Sequence, residues 1–151
     1  MFLTPQLITL ENYFKNTETI NTNISNSSVG WHIDHSLKVL ITVSKAVKIS
    51  KPEEYQLKFN KTRLYIFAKG SIPRGIAKAP KLVLPPENIT KEGLIFQLEE
   101  ANKLLHILEE LPEKSNFKHP YFGLLNLPMT KKFLKLHTDH HLKIITDILT
   151  K

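Results

Sequence analysis

The segment from Pro128 to Leu149 repeats apolar side chains at the spacing of an α-helix and carries histidines among them. At about 100° per residue, its apolar side chains gather within an arc of about 140°. These side chains are Leu134, Ile144, Ile145, Ile148 and Leu149. His137 and His141 fall inside the same arc, and His140 lies at its edge. We therefore expect a chain that packs helices against one another and brings two imidazoles into their interface.

Boundary residues elsewhere predict three more long helices and one short one. The long helices run from about Pro5 to Lys15, from Ser27 or Ser28 to about Ile49, and from about Thr90 to Leu111, with Thr4, Ser28 and Thr90 as N-caps. A short helix near Lys61 to Lys69 is expected inside the proline-rich connection from Ser50 to Ile89. The stretch PEKSNFKHPYFGLLNL is interpreted as a turn-rich link. The predicted fold is all-α: an antiparallel four-helix bundle with a long crossover connection between helices 2 and 3.

Composition narrows the class of protein and of metal site. The chain has 151 residues, which favours a single domain over residues 1–151. Its first twelve residues do not resemble a secretory signal, and its longest apolar stretch is far shorter than a bilayer span. We therefore expect a cytoplasmic protein with no membrane-spanning segment. The chain has no cysteine, so any metal ion has to be held by imidazole nitrogen and by oxygen.

The formal net charge of +7 is concentrated in one stretch of the chain. Between Tyr55 and Pro86 there is no acidic residue and there are seven basic ones, namely Lys58, Lys61, Arg63, Lys69, Arg74, Lys78 and Lys81. The favoured interpretation is a solvated, lysine-rich loop. The alternative is an anion-attracting loop, in which Arg74 and Lys78 would contact an anionic substrate by charge-assisted hydrogen bonds.

Histidines on two of the predicted helices form a candidate metal site. His137 and His141 lie on one helical face with Cβ atoms about 5 to 6 Å apart, a spacing at which two imidazoles can share one ion. A third ligand has to come from another helix, and the second helix offers His32 and His35. His32 falls in the middle of the apolar face and His35 at its edge, so helical geometry alone leaves both open.

Three motifs, in this order, resemble those of the DinB/YfiT-like metal-binding four-helix bundles: W-H-I-D-H-S-L-K-V, K-H-P-Y-F-G-L-L and H-T-D-H-H-L-K-I-I. The resemblance covers nearly the whole chain. It is closest to a branch of unknown function that carries H-P-x-F-G before an H-x-x-H-H helix. The resemblance implies that His35, His137 and His141 hold Zn(II), Ni(II) or a similar divalent ion, with His32 and His140 in reserve. His35 follows Ser28 by seven residues, as the family's ligand follows its capping residue.

The same resemblance implies an activity. Members of this superfamily transfer or isomerise groups with low-molecular-weight thiols, so a metal-dependent thiol S-transferase or a hydrolase acting on small molecules is the leading interpretation. Arg74, Lys78 and His119 would line an anion or substrate site. Relatives often form dimers, so a homodimer is the oligomeric state that the resemblance allows for. No catalytic base is identified, because Asp34 and Asp139 are expected on polar helical faces.

Two other functions stay open at this point. One is a non-catalytic bundle that a metal stabilises and that acts by binding a partner. The other, less favoured, is association with nucleic acid, since only Phe59, Tyr65 and Phe67 could stack on bases and two of them are expected in the core. His119 either lines the mouth of the site or caps local structure, and His106 is interpreted as a helix-edge side chain.

Overall fold

The computed structural model describes residues 1–76 and 78–151, and in this part of the chain five α-helices accompany one β-hairpin. The helices are α1 (Thr4–Asn12), α2 (Val29–Lys48), α3 (Lys61–Lys69), α4 (Lys91–Glu110) and α5 (Leu127–Thr150). The strands are β1 (Asn116–His119) and β2 (Gly123–Asn126), which pair antiparallel with Phe117 opposite Leu125. The mostly helical fold is confirmed, and so is the short helix in the long connection. The hairpin was not predicted.

Polar caps set the starts of four helices. The side chain of the residue before each helix accepts a hydrogen bond from a backbone N–H in the first turn, as expected for an N-cap. These caps are Ser28 for α2, Asn60 for α3, Thr90 for α4 and Asn126 for α5. The predicted caps at Ser28 and Thr90 are thus confirmed. The predicted cap at Thr4 is wrong: α1 begins at Thr4 itself, whose hydroxyl donates to the carbonyl of Met1.

The buried apolar side chains form one cluster, to which α1, α2, α4 and α5 all contribute. α2 packs against both α4 and α5, and α1 packs against the same two helices. Leu37 of α2, Leu105 of α4 and Leu134 of α5 are fully buried within this cluster. Each buried leucine contributes about 1.5 to 3 kcal/mol relative to an exposed one. The α2–α5 contact is where the predicted histidine motifs lie.

The connection from α2 to α4 is attached to the hairpin through a buried arginine. The guanidinium of Arg63 donates to the carbonyls of Lys58 and Phe122, at 2.6 and 3.1 Å, and lies 3.5 Å from the carbonyl of Leu124. The interpretation of the basic stretch as a solvated loop is therefore wrong for Arg63, because carbonyl oxygens take the place of water around its charge.

The same connection contains a 3-10 turn, Lys81–Val83, that packs against α2. Beside it, Lys38 Nζ donates to the carbonyl of Leu84 at 3.0 Å. The fold thus places this turn of the long connection against α2, the helix that carries His32 and His35.

In the residues that the structure describes, no helix combines the length and the apolar character that crossing a bilayer requires.

Candidate metal centre

Three histidines from two helices converge in the interior. Single nitrogen atoms of His35, His137 and His141 all lie within 4.8 Å of one another. The Nε2 atoms of His35 and His137 are 3.2 Å apart. The structure therefore brings together the three residues that the motif resemblance implied, and we call them the histidine triad.

The orientation of His35 is fixed by the long connection. Its Nδ1 lies 2.9 Å from the carbonyl oxygen of Val83 in the 3-10 turn. A carbonyl only accepts, so Nδ1 carries the proton and donates it. In a neutral imidazole this leaves Nε2 without a proton and facing His137, which is the form that binds metals.

His137 keeps a buried nitrogen that nothing in the described part of the chain satisfies. Its Nδ1 is shielded from solvent and has no hydrogen-bond partner. A buried polar atom of this kind costs free energy unless a partner is supplied. The residue as a whole is only half-buried, whereas His35 and His141 are 4 % and 7 % exposed.

The triad is held in its uncharged form. Burial lowers the pKa of His35, an effect that the hydrogen bond to Val83 partly offsets. Burial, and then the neighbouring histidines, lower the pKa values of His137 and His141 well below the ordinary value. The neighbours act in this direction because protonated imidazoles would repel one another. All three rings are thus neutral at pH 7, as metal ligands must be.

These features suit a divalent cation. The triad is a buried group of three neutral imidazoles, one fixed by a carbonyl and one with an unsatisfied nitrogen, and it could hold a metal ion. Three imidazoles from two helices also match the ligand number of catalytic zinc sites, whereas purely structural sites use four protein ligands.

The two reserve histidines lie beside the triad. His32 is 4 % exposed, and its Nδ1 lies 2.9 Å from Nδ1 of His141. Its Nε2 lies 3.0 Å from the hydroxyl of Ser25. His140 is half-buried, and its ring meets the ring of His141 edge to face. Neither belongs to the group of mutually close nitrogens within the described residues.

The three residues expected to bind an anion, Arg74, Lys78 and His119, have different partners in the structure. Arg74 is bound to Asp147 at 2.8 Å, and Lys78 is exposed. The Nδ1 of His119 accepts the backbone N–H groups of Tyr121 and Phe122, both at 3.1 Å. His119 therefore has the capping role that the sequence left open, and it organises the turn of the hairpin.

A small cavity of about 100 Å³ lies next to His140, between the loop after α3 and the outer face of α5. Among its lining residues are Arg74, Lys143 and Asp139. It continues toward an open groove of about 450 Å³ that Arg74 and Lys143 also line. Of the three residues predicted to bind an anion, Arg74 lines this cavity, which borders His140.

One acidic residue was placed on the wrong side by the helical projection. Asp34 was expected on a polar face, yet it is 2 % exposed. Its carboxylate accepts from Gln97 of α4 at 2.7 Å and lies 2.7 Å from Lys38 Nζ. Packing of α4 over this face brings the Gln97 amide to the carboxylate, and Lys38, one turn further along α2, supplies an ammonium group. The expected exposure of Asp139 is closer to the structure, since it is half-buried and pairs with Lys135.

Two contributors to the site were missed from the sequence. Val83 acts through its backbone carbonyl, which leaves no trace in the identity of its side chain. Ser25 lies in the polar run before α2, which only indicated caps and turns.

Comparisons of the chain with family models, with curated proteins and with solved structures find no match.

Proposed function

We propose that the protein binds one divalent metal ion through His35, His137 and His141 and uses it to act on a small molecule. The observation that carries this proposal is the mutual approach, within 4.8 Å, of three imidazole nitrogens from two helices. The reaction classes that we favour are S-transfer from a low-molecular-weight thiol and hydrolysis. Zn(II) and Ni(II) are the favoured ions, because the motif resemblance implies them and imidazole suits both.

Bound by three imidazoles, such an ion would lower the pKa of a coordinated water or thiol and so supply a nucleophile at neutral pH. The chain's own residues would do the rest. The carbonyl of Val83 holds His35 in its metal-binding tautomer. Burial keeps the triad uncharged, so no proton has to leave it at neutral pH when the ion binds.

Arg74 is the residue that we propose for holding an anionic group of the substrate. It lines the cavity beside His140, and 44 % of its side chain is exposed. Its partner Asp147 is a surface carboxylate, so a substrate carboxylate could take over the same guanidinium. Lys143 lines the same cavity and adds positive charge.

We also propose that the chain is a DinB/YfiT-like antiparallel four-helix bundle made of α1, α2, α4 and α5. The contacts of α2 and of α1 with both α4 and α5 support this arrangement. His35 of the first quoted motif and His137 and His141 of the third lie close enough to share one ion, which supports the ligand set that the resemblance implies. In this interpretation, α3 and the hairpin are additions attached through Arg63.

The decisive experiment is elemental analysis combined with metal titration of the purified protein. We expect one tightly bound divalent ion per chain in the wild type. His35→Ala, His137→Ala and His141→Ala should each lose it, because two imidazoles hold an ion far less well than three. His106→Ala is the matched control, since His106 is exposed on α4. Equal metal content in all five proteins would end the assignment.

Catalysis is tested separately from binding. With thiols and electrophiles supplied together, metal-loaded protein should turn over and metal-free protein should not. A large metal-dependent gain in melting temperature without turnover in broad substrate screens would instead favour the non-catalytic, metal-stabilised bundle. The two outcomes separate the enzyme from the binding protein while leaving the metal site intact.

A second candidate function gains support from one observation. Two of the three rings Phe59, Tyr65 and Phe67 were expected in the core. The structure instead exposes 75 % of Phe59 and 61 % of Tyr65. They lie among the exposed lysines Lys58, Lys61 and Lys69. Exposed rings between cations are the elements of a surface that binds single-stranded nucleic acid.

Binding of a labelled oligonucleotide at increasing salt tests this second candidate. Phosphate-driven binding should weaken steeply with salt and should fall further in the double variant Phe59→Ala/Tyr65→Ala. Phe96→Ala is the control, since this ring is 67 % exposed on α4, outside the lysine-rich stretch. Absence of binding, or a flat salt response, would remove this function and leave the first unaffected.

A further inference from the structure

A chain of polar contacts leads from the triad to the loop before α2. It begins at Nδ1 of His141, which lies 2.9 Å from Nδ1 of His32. It continues from Nε2 of His32, which lies 3.0 Å from the hydroxyl oxygen of Ser25. The same oxygen accepts the backbone N–H of Ser27 at 3.1 Å. The side chains of two residues, His32 and Ser25, thus connect a proposed metal ligand to the backbone of Ser27.

The contact between His32 and His141 restricts their tautomers. A neutral imidazole has one donor nitrogen and one acceptor nitrogen, so only one of the two Nδ1 atoms can carry a proton. If His141 donates from Nδ1, its Nε2 is free for an ion, and His32 has its own proton on Nε2. That proton then points at the hydroxyl of Ser25, which can accept it. Each contact in the chain is satisfied in this arrangement.

We propose that His32 and Ser25 form a positioning pair that holds His141 with its Nδ1 protonated and its Nε2 directed at the ion. This inference rests on the proposed function. His32 would do for His141 what the carbonyl of Val83 does for His35. Partners of this kind fix the ring and the tautomer of a ligating histidine, and their loss typically lowers metal affinity by about 10-fold to 100-fold.

Contacts with its own helix and with Trp31 hold His32 in place. Its helix begins at the Ser28 cap, and the hydroxyl of Ser36 one turn later donates to the carbonyl of His32 at 2.7 Å. The ring of Trp31 lies edge to face against that of His32 and stacks on that of His35, at 5.2 and 5.0 Å. His32 lies outside the group of mutually close nitrogens, which separates a positioning residue from a fourth ligand.

The Ser25 end is also held by backbone. Ser25 forms an isolated bridge with Asn21, and its N–H donates to the carbonyl of Asn21 at 2.9 Å. The N–H of Val29 donates to the carbonyl of Thr19, which fastens the loop to the start of α2. The hydroxyl therefore presents a fixed acceptor to His32.

Titration with Co(II) and Zn(II) tests the proposal through affinity and spectrum. His32→Ala should bind one ion about 10-fold to 100-fold more weakly than the wild type. His32→Asn should recover most of that affinity, because its amide oxygen can accept from His141 close to where Nδ1 lies. Ser25→Ala should lower the metal affinity by about 2-fold to 10-fold, as expected for the loss of one neutral hydrogen bond. His106→Ala is the control and should match the wild type.

The ligand count separates positioning from ligation. X-ray absorption of the Co(II) or Zn(II) protein should give three imidazoles in the wild type and in His32→Asn. Four imidazoles in the wild type would make His32 a ligand and overturn the proposal. Wild-type affinity in His32→Ala would overturn it as well.

Imidazole 15N NMR of the metal-free wild type needs neither a variant nor a bound ion. We expect His141 protonated on Nδ1 and His32 protonated on Nε2, and the reverse pair would overturn the proposal. If the wild type binds no ion at all, the proposed function fails. The tautomers then still decide whether the positioning pair exists, so the two failures are distinguishable.

Discussion

Two of the buried polar clusters in the described part of the chain, one around Arg63 and one formed by the triad, are satisfied in opposite ways. Around Arg63, side chains meet backbone: the guanidinium donates to carbonyls, and His119 nearby accepts two backbone N–H groups. In the triad, imidazoles mainly meet imidazoles, and Nδ1 of His137 has no partner among the described residues.

The difference separates a cluster that holds the fold together from one suited to a ligand. A charged side chain surrounded by carbonyls is complete, and nothing further can bind to it without displacing a backbone contact. Neutral rings that face one another present lone pairs toward a common point, and an ion can satisfy them together. The following predictions test whether the two clusters behave in these two ways.

The largest expected effect is stabilisation by metal. With free Zn(II) at about 1,000 times the dissociation constant, the free energy of unfolding should rise by about 4 kcal/mol, because the unfolded chain lacks the assembled triad. Urea unfolding with Zn(II) and with a chelator measures the difference. In His137→Ala the gain should nearly vanish, and in His106→Ala it should persist. A gain of equal size in His137→Ala would place the ion elsewhere.

Arg63→Met should lower the free energy of unfolding by about 2 to 3 kcal/mol, because backbone carbonyls around it lose a buried donor. The loss should be the same with and without Zn(II), since Arg63 does not contact the triad. Urea unfolding in both conditions measures it.

Arg63→Lys provides the comparison for the Arg63 prediction. A lysine keeps the charge but lacks the planar fork that reaches several carbonyls at once, so it should recover only part of the loss. If Arg63→Met instead changed the Zn(II)-dependent gain, the two clusters would be coupled rather than independent.

The sequence predicts this contrast in part. Periodicity and caps predicted the long helices, and the four-residue spacing of His137 and His141 predicted that they share a face. His35 came from the motif resemblance rather than from the helical projection. Rotation about a helix axis gives the face of a residue but not which neighbour covers it, and for that reason Asp34 was placed on the wrong side.

The rest depends on contacts between distant segments of backbone. The carbonyls that orient His35 and Arg63 belong to Val83 and Phe122, and any residue type would offer the same group. The hairpin escaped prediction because its strands have four residues each and show no long alternation. Such features follow from how the long connection folds back, which local pattern does not specify.

The histidine in the Arg63 region should make stability depend on pH. Burial lowers the pKa of His119 to about 4, below the unfolded value of 6.5. As the pH falls, the unfolded state therefore takes up this proton before the folded state does. The stability that neutral His119 contributes is complete above pH 6.5 and is lost as the pH falls toward 4.

His119→Asn isolates this effect. An asparagine oxygen can accept the same N–H groups of the hairpin turn and does not titrate, so the variant should match the wild type near pH 7.5 within about 1 kcal/mol. Metal-free urea unfolding from pH 7.5 to pH 4.5 should then be less steep in the variant than in the wild type. Identical pH profiles would mean that His119 titrates normally in the folded protein.

The smallest effect on stability is expected at Arg74, which belongs to neither cluster. Its ion pair with Asp147 lies at the surface, where such pairs contribute little, so Arg74→Met should leave unfolding and Zn(II) affinity unchanged within error. If Arg74 binds the anionic group of a thiol substrate, KM for that thiol should rise in this variant while metal content stays the same. Asp147→Asn should have the opposite effect on KM, because it removes the carboxylate that competes for the guanidinium. If both variants had the wild-type KM, Arg74 would not bind the substrate. Lys143 would then be the next residue to test for substrate contacts.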